Sequence, residues 1–205
     1  MKQALINAIR KPFTSFWGTV FGIILSLIPI LNFIAAGHIL KCYQDGLKKA
    51  QPKWTNMGNF FMDGFFMSLI TLAYSIPLIA YAYLTKTAMF TTRAFLATPV
   101  PSWMGTSTNI SIFQDYYLLI IFLITTYILP AAAMQYLKEE KMINIFSPKK
   151  IKEIVLTKKY LTSYLVASIF FLGLTYGLSY IPVIGVSIGS YVGLMMFYTL
   201  MGANK

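Results

Sequence analysis

Four stretches without a charged side chain decide what this chain can fold into. They are residues 12–40, 64–85, 116–137 and 160–204. A helix needs about 20 apolar residues to cross a bilayer. The two middle stretches therefore provide one crossing each, about 62–84 and 116–138, with Pro77 and Pro130 inside them. The last, 45 positions long, holds two. Its break falls at Pro182–Gly185, since a proline followed by glycine three residues on is turn chemistry. The words around that break, "LSYIPVI" at 178–184, repeat "LSLIPIL" at 25–31. The repeat makes the first stretch a helical hairpin too. Pro29 and Asn32 at its apex correspond to Pro182 and Gly185.

The first stretch has only 29 positions. Two crossings there require helices that run past their charges, one from about residue 4 to 28 and one from about 32 to 49. Lys11 and Lys41 would then snorkel to the headgroups. The alternative is a re-entrant wedge, whose apex must be covered because free backbone groups in lipid are costly. Full crossings are expected. The fold class is then all-α: a polytopic bundle of six transmembrane helices with similar hairpins at the two ends, plus short interfacial amphipathic helices. One transmembrane domain covers 1–205. Residues 1–61 form the N-terminal hairpin and an interfacial segment, and 62–138 the central pair with an outer loop at 86–114. Residues 139–205 form an interfacial helix and the C-terminal hairpin.

Six crossings put 1–12, 41–61, 138–159 and the C-terminus on one side. That side holds 15 of the 17 Lys and Arg, leaving Lys86 and Arg93 on the other. Basic loops face the cytoplasm, so both termini are expected there, in the cytoplasmic membrane. The same partition explains the net charge of +11 without nucleic acid. Charged residues are 11 % of the chain, against roughly 25 % in soluble domains. The run from Phe13 to Leu31 exceeds a signal-peptide core of about 7–15 residues, and its motif recurs near the C-terminus. It is expected to stay in the mature protein. The outer loop carries Trp103 and a glycosylation sequon at Asn109.

Three cytoplasmic pieces have interfacial character: 3–12, 56–66 and 148–160. The last puts Ile151, Ile154 and Val155 on one face and lysines on the other. Lys149, Lys150, Lys152, Lys158 and Lys159 are candidates for contact with anionic lipid, worth about 1 kcal/mol each at best; fixing topology is their simpler role. Small residues at GxxxG spacing let helices approach closely. Gly18 and Gly22, Gly173 and Gly177, and Gly185, Gly189 and Gly193 have that spacing. Packing within each hairpin is the expectation, and a homo-oligomeric seam on the last helix the sharper alternative. His38 is the only histidine and the only ionisable group well inside a span. With Tyr74, Tyr127 and Tyr176 it makes a candidate polar pathway, although three residues from Lys41 an interfacial hydrogen-bonding role suits it better. Ser26, Ser75 and Ser179 precede prolines and can serve carbonyls left unpaired there.

Catalytic chemistry has little to work with. No carboxylate lies mid-span, where a proton relay would need one. One His and one Cys cannot assemble a zinc site. No HExxH, P-loop or GxSxG occurs. No catalytic, cofactor-binding or metal-binding residue is assigned, and no enzyme is expected.

The stretch "IPILNFIAAGHILKCYQDGLKKAQPKWTNMGNFFMDGF", followed by "LAYSIPL", resembles an uncharacterised family of archaeal and bacterial integral membrane proteins. The features that carry the resemblance are Pro29, Gly37-His38, Lys41, Pro52-Lys53-Trp54, Phe60-Phe61 and Asp63-Gly64. His38 departs from a typical tyrosine, and Ala50-Gln51 from a Gly-acidic turn. The resemblance implies six membrane helices and no established activity. The expected function is a non-enzymatic scaffold, accessory subunit or lipid-interacting component, with anionic lipids or a membrane protein as partner and no nucleic acid. The alternative is a channel or passive transporter for a small solute.

Overall fold

A computed structural model describes residues 2–46, 48, 50–84, 116–139, 146–181 and 184–203. Pro182, Trp103, Asn109 and the whole outer loop at 86–114 lie outside the described residues. Among those described, the chain is all-helical, with eight α-helices and no strand. They are α1 (Lys2–Arg10), α2 (Phe16–Leu27), α3 (Asn32–Asp45), α4 (Met57–Leu84), α5 (Tyr116–Glu139), α6 (Pro148–Val155), α7 (Lys158–Leu178) and α8 (Ile184–Gly202).

Four of them are long and apolar enough to cross a membrane: α4, α5, α7 and α8. The expected first helix over 4–28 is broken. Pro12 lacks an amide proton and crowds the turn before it, so α1 gives way to a 3₁₀ turn at Lys11–Thr14. Ser15 then starts α2 afresh, its hydroxyl accepting from the Gly18 amide at 3.2 Å. At 1.5 Å per residue, the 12 residues of α2 span about 18 Å and the 14 of α3 about 21 Å. Neither matches a hydrocarbon core about 30 Å thick.

The apex between them closes several of its own hydrogen bonds. Ile28 is extended, as a residue before proline prefers, and its amide donates to Leu25 O at 3.3 Å. The Asn32 amide returns to Ile28 O at 2.8 Å. Ser26 Oγ donates to Ile23 O at 2.7 Å, and Ser179 Oγ repeats the move on Tyr176 O at 2.6 Å. Helix α3 ends at Gly46, whose φ of +46° lies in the left-handed region that glycine tolerates.

Segment 56–66, expected as an interfacial piece of its own, is instead continuous with α4. No helix breaker separates it from the span. Pro77 and Pro130 likewise sit inside unbroken helices.

The chain divides into two compact units. The first takes in the described parts of Met1–Phe66 and Lys158–Lys205. Its centre is α8, which packs on α7, α3, α2 and α1 and is buried over most of its length. The glycine ridge of α8 faces α7. A methyl group on Gly189 would lie 2.9 Å from Thr175 Cα, and one on Gly193 2.9 Å from Phe171 Cδ2. At Gly185 it would overlap the Leu178 carbonyl. Gly173 and Gly177, at the same spacing on α7, face open space with nothing within 4 Å.

The second unit holds α4 beyond Phe66, α5 and α6. Helix α6 lies against α5, with Ile151 buried and Lys149 and Lys152 exposed. Tyr127 Oη donates to Val155 O at 2.8 Å. The Tyr74 ring stacks on Phe146, centroids 5.8 Å apart.

Candidate functional site: a polar knot at the base of the first hairpin

Polar side chains concentrate inside the first unit, where the hairpin α2–α3 meets the connection to α4. Three clusters form there.

The first is Lys11. Its side chain does not snorkel outward, contrary to expectation; it is fully buried. Nζ donates to the carbonyl of Cys42 at 3.2 Å and of Gly46 at 3.3 Å. These are carbonyls of the last turn of α3, where the helix dipole favours a cation. Burial lowers the lysine pKa below its usual value, while Cys42 and Asp45 nearby pull it back up. Position and charge fit because Pro12 turns the chain inward at this residue.

The second is Gln51. Its Nε2 donates to Pro12 O at 2.6 Å and to Thr19 Oγ1 at 2.7 Å. Thr19 Oγ1 itself donates to Pro12 O. The Gln51 amide donates to Thr14 Oγ1 at 3.2 Å, and that hydroxyl donates to Lys11 O at 2.8 Å. One glutamine thus stitches the connection to both sides of the α1–α2 break.

The third is His38, also fully buried. Nε2 lies 3.0 Å from Pro52 O, and Nδ1 lies 3.1 Å from Tyr191 Oη. A carbonyl only accepts, so Nε2 carries the proton and Nδ1 accepts from the tyrosine. Both ring nitrogens are satisfied by a neutral imidazole. The ring stacks on Trp54 at 3.9 Å and 3°, and Phe60 meets it edge-on at 5.5 Å. Gly22 makes room for the tyrosine, since a methyl group there would overlap the Tyr191 ring. Gly37 and Gly64 play the same part where α3 crosses α4. A methyl group on Gly64 would overlap Phe33 O and lie 2.9 Å from Gly37 N.

Of the candidate polar pathway, the first unit holds two residues in different surroundings: His38 is sealed, while Tyr176 is 70 % exposed, meets the Tyr180 ring edge-on and accepts from its hydroxyl at 3.3 Å. Tyr74 and Tyr127 belong to the other unit. Gly18 lies in the knot beside Ser15, Gln51 and Trp54, and Asn32 is buried at the start of α3 while Pro29 is exposed. Lys158 and Lys159 are exposed at the start of α7, and Lys150 is half-buried. Among the described residues no three of His, Cys, Asp and Glu gather as a metal site would require.

A family profile described as "Protein of unknown function (DUF4013)" matches residues 21–184. The chain belongs to this family. The stretch matched contains His38, Gln51, Pro52, Trp54 and Gly64, while Lys11 and Tyr191 lie outside it. Comparison with curated proteins and with solved structures returns no match.

Among the knot residues Tyr191 went unmarked in the sequence, and Lys11 and Gln51 stood out only as a flanking charge and as a departure from the family's turn. Pro52-Lys53-Trp54 and Gly37-His38 did stand out, as separate features. The fold brings them together around one imidazole.

Proposed function

We propose that this family member is a non-enzymatic, multi-pass component of the cytoplasmic membrane, serving as a scaffold, accessory subunit or lipid-interacting protein. The observation that carries the reading is the use made of the buried polar groups. The one histidine and the buried lysine are committed to backbone carbonyls and a tyrosine. Such groups hold a shape and leave no ring nitrogen for acid–base work. The channel or passive-transport reading gains nothing from His38 and Tyr176, whose surroundings differ.

The finer topology rests on charge. Both termini face the cytoplasm with Lys149, Lys152, Lys158 and Lys159 on that side, available to anionic headgroups. Six full crossings and four crossings with one folded-back hairpin share this sidedness, because a hairpin returns to the side it left.

Gentle extraction from the native membrane followed by native mass spectrometry tests the function. Retained partner chains or defined lipids support a scaffold or lipid-binding role. A bare chain or bare homo-oligomer, together with solute flux in reconstituted vesicles, refutes it in favour of transport.

A further inference from the structure

We infer that the knot binds one water molecule beside Gly18, between α2 and the connection to α4, and that this water holds Trp54 over His38. The inference goes beyond the function proposed above and does not depend on how the chain lies in the membrane.

Two buried polar atoms of the knot have no partner among the described residues. Gln51 is 9 % exposed, and its Oε1 meets no donor. Trp54 Nε1 is buried and meets no acceptor. Neither group can turn away. Gln51 Nε2 is committed to Pro12 O and Thr19 Oγ1, and a flipped amide would set its oxygen against the Pro12 carbonyl, which only accepts. Trp54 is clamped by its stack on His38, with Phe21 and Phe60 edge-on at 5.1 and 6.1 Å. Both atoms border the same spot. A methyl group on Gly18 would lie 3.0 Å from Gln51 Oε1 and 3.2 Å from Trp54 Nε1, with Ser15 Oγ third at 2.8 Å. The indole nitrogen and the amide oxygen are therefore no more than about 6 Å apart, yet do not bond each other. One water, about 2.8 Å from each partner, bridges a gap of about 4–6 Å.

The set of groups selects its occupant. Ser15 Oγ accepts from the Gly18 amide, which leaves its own proton to give. Two donors, the indole N–H and the serine O–H, and one acceptor, the amide oxygen, then surround the spot. An anion would be repelled by the amide oxygen, and a cation by the two donors. A neutral hydroxylic molecule accepts twice and donates once, and water is the one small enough to stand beside a helix backbone. Ser15 is exposed, which opens a way in from solvent. Glycine at 18 keeps the spot clear, since any side chain there would begin within 3.2 Å of all three atoms. The water ties the connection 51–54 to the first turn of α2 and keeps the indole from sliding off the imidazole.

Nuclear magnetic resonance on the full chain in detergent reads the contact directly. Tryptophan is isotope-labelled at the indole nitrogen, and Trp17→Phe and Trp103→Phe, made one at a time, assign the indole protons of the three tryptophans. A dipolar cross-peak between the Trp54 indole proton and water is expected, and Gly18→Ala should abolish it by placing a methyl group among the three polar atoms. A parent chain without the cross-peak overturns the site in favour of a direct bond from Trp54 to Gln51. A cross-peak that survives Gly18→Ala undiminished overturns it in favour of solvent reaching the indole from another side. Should Gly18→Ala not fold, Gln51→Met, which removes the acceptor, takes its place with the same two outcomes.

Discussion

Gly64→Ala is the most informative single perturbation, because Gly58 supplies a control in the same helix. Alanine is favoured over glycine inside a helix by about 1 kcal/mol. At Gly58 nothing lies within 4 Å of the added methyl group, so only that gain remains. At Gly64 the methyl group would overlap the Phe33 carbonyl oxygen and lie 2.7 Å from its carbon. Carbon atoms rest at about 3.5–4.0 Å. The α3–α4 crossing must therefore open by nearly 1 Å, and the neighbour is backbone, which cannot swing aside. Overpacking of this kind costs about 1–3 kcal/mol, which outweighs the propensity gain. At roughly 2–4 °C per kcal/mol for a chain of this size, Gly64→Ala should melt on the order of 5 °C below Gly58→Ala. The assay is built into the chain: Cys42 is the only cysteine and is buried, so a thiol-reactive fluorophore reports its exposure on heating in detergent. A Gly64→Ala protein as stable as Gly58→Ala would refute the close crossing.

Three further outcomes follow from the knot, all read by the same thermal assay. Tyr191→Phe leaves His38 Nδ1 buried without its donor and should cost about 1–3 kcal/mol. Lys11→Met strips the Gly46 carbonyl of its ammonium partner and should cost a similar 1–3 kcal/mol or so; a gain in stability would mean that desolvating the charge outweighs its bonds. Gln51→Leu removes the side-chain donor to Pro12 O and Thr19 Oγ1, while the backbone donor to Thr14 Oγ1 stays. Its loss should exceed that of Thr14→Val, whose two bonds, from the Gln51 amide and to Lys11 O, are only part-buried.

Membrane class and helix content were legible because lipid enforces them along the whole chain: charge-free runs, flanking lysines and proline-marked turns are local signals. Helix α6 was legible for the same reason, its buried Ile151 and exposed Lys149 and Lys152 following helical period. What stayed hidden depends on direction. A lysine beside an apolar run reads the same whether it points to headgroups or, as Lys11 does, into the protein. Gly173 and Gly177 share the spacing of Gly189 and Gly193, yet spacing names a face and not the neighbour that covers it. Charge partition counts sides, so it is blind to whether Pro29 turns the chain at mid-membrane or beyond it. The break at Pro12 was visible as a residue, but its effect on the length of α2 emerged only with Ser15 capping the new start.

Within the first unit the helices are of unequal length: α2 and α3 rise about 18 and 21 Å, α7 and α8 about 32 and 29 Å. The apolar belt such a unit offers to lipid is therefore narrower along the hairpin than along α7. A bilayer meets a narrow belt by thinning and a wide one by letting helices tilt, at fractions of a kcal/mol per Å. Thermal stability in bilayers of graded acyl length would locate the thickness that suits both.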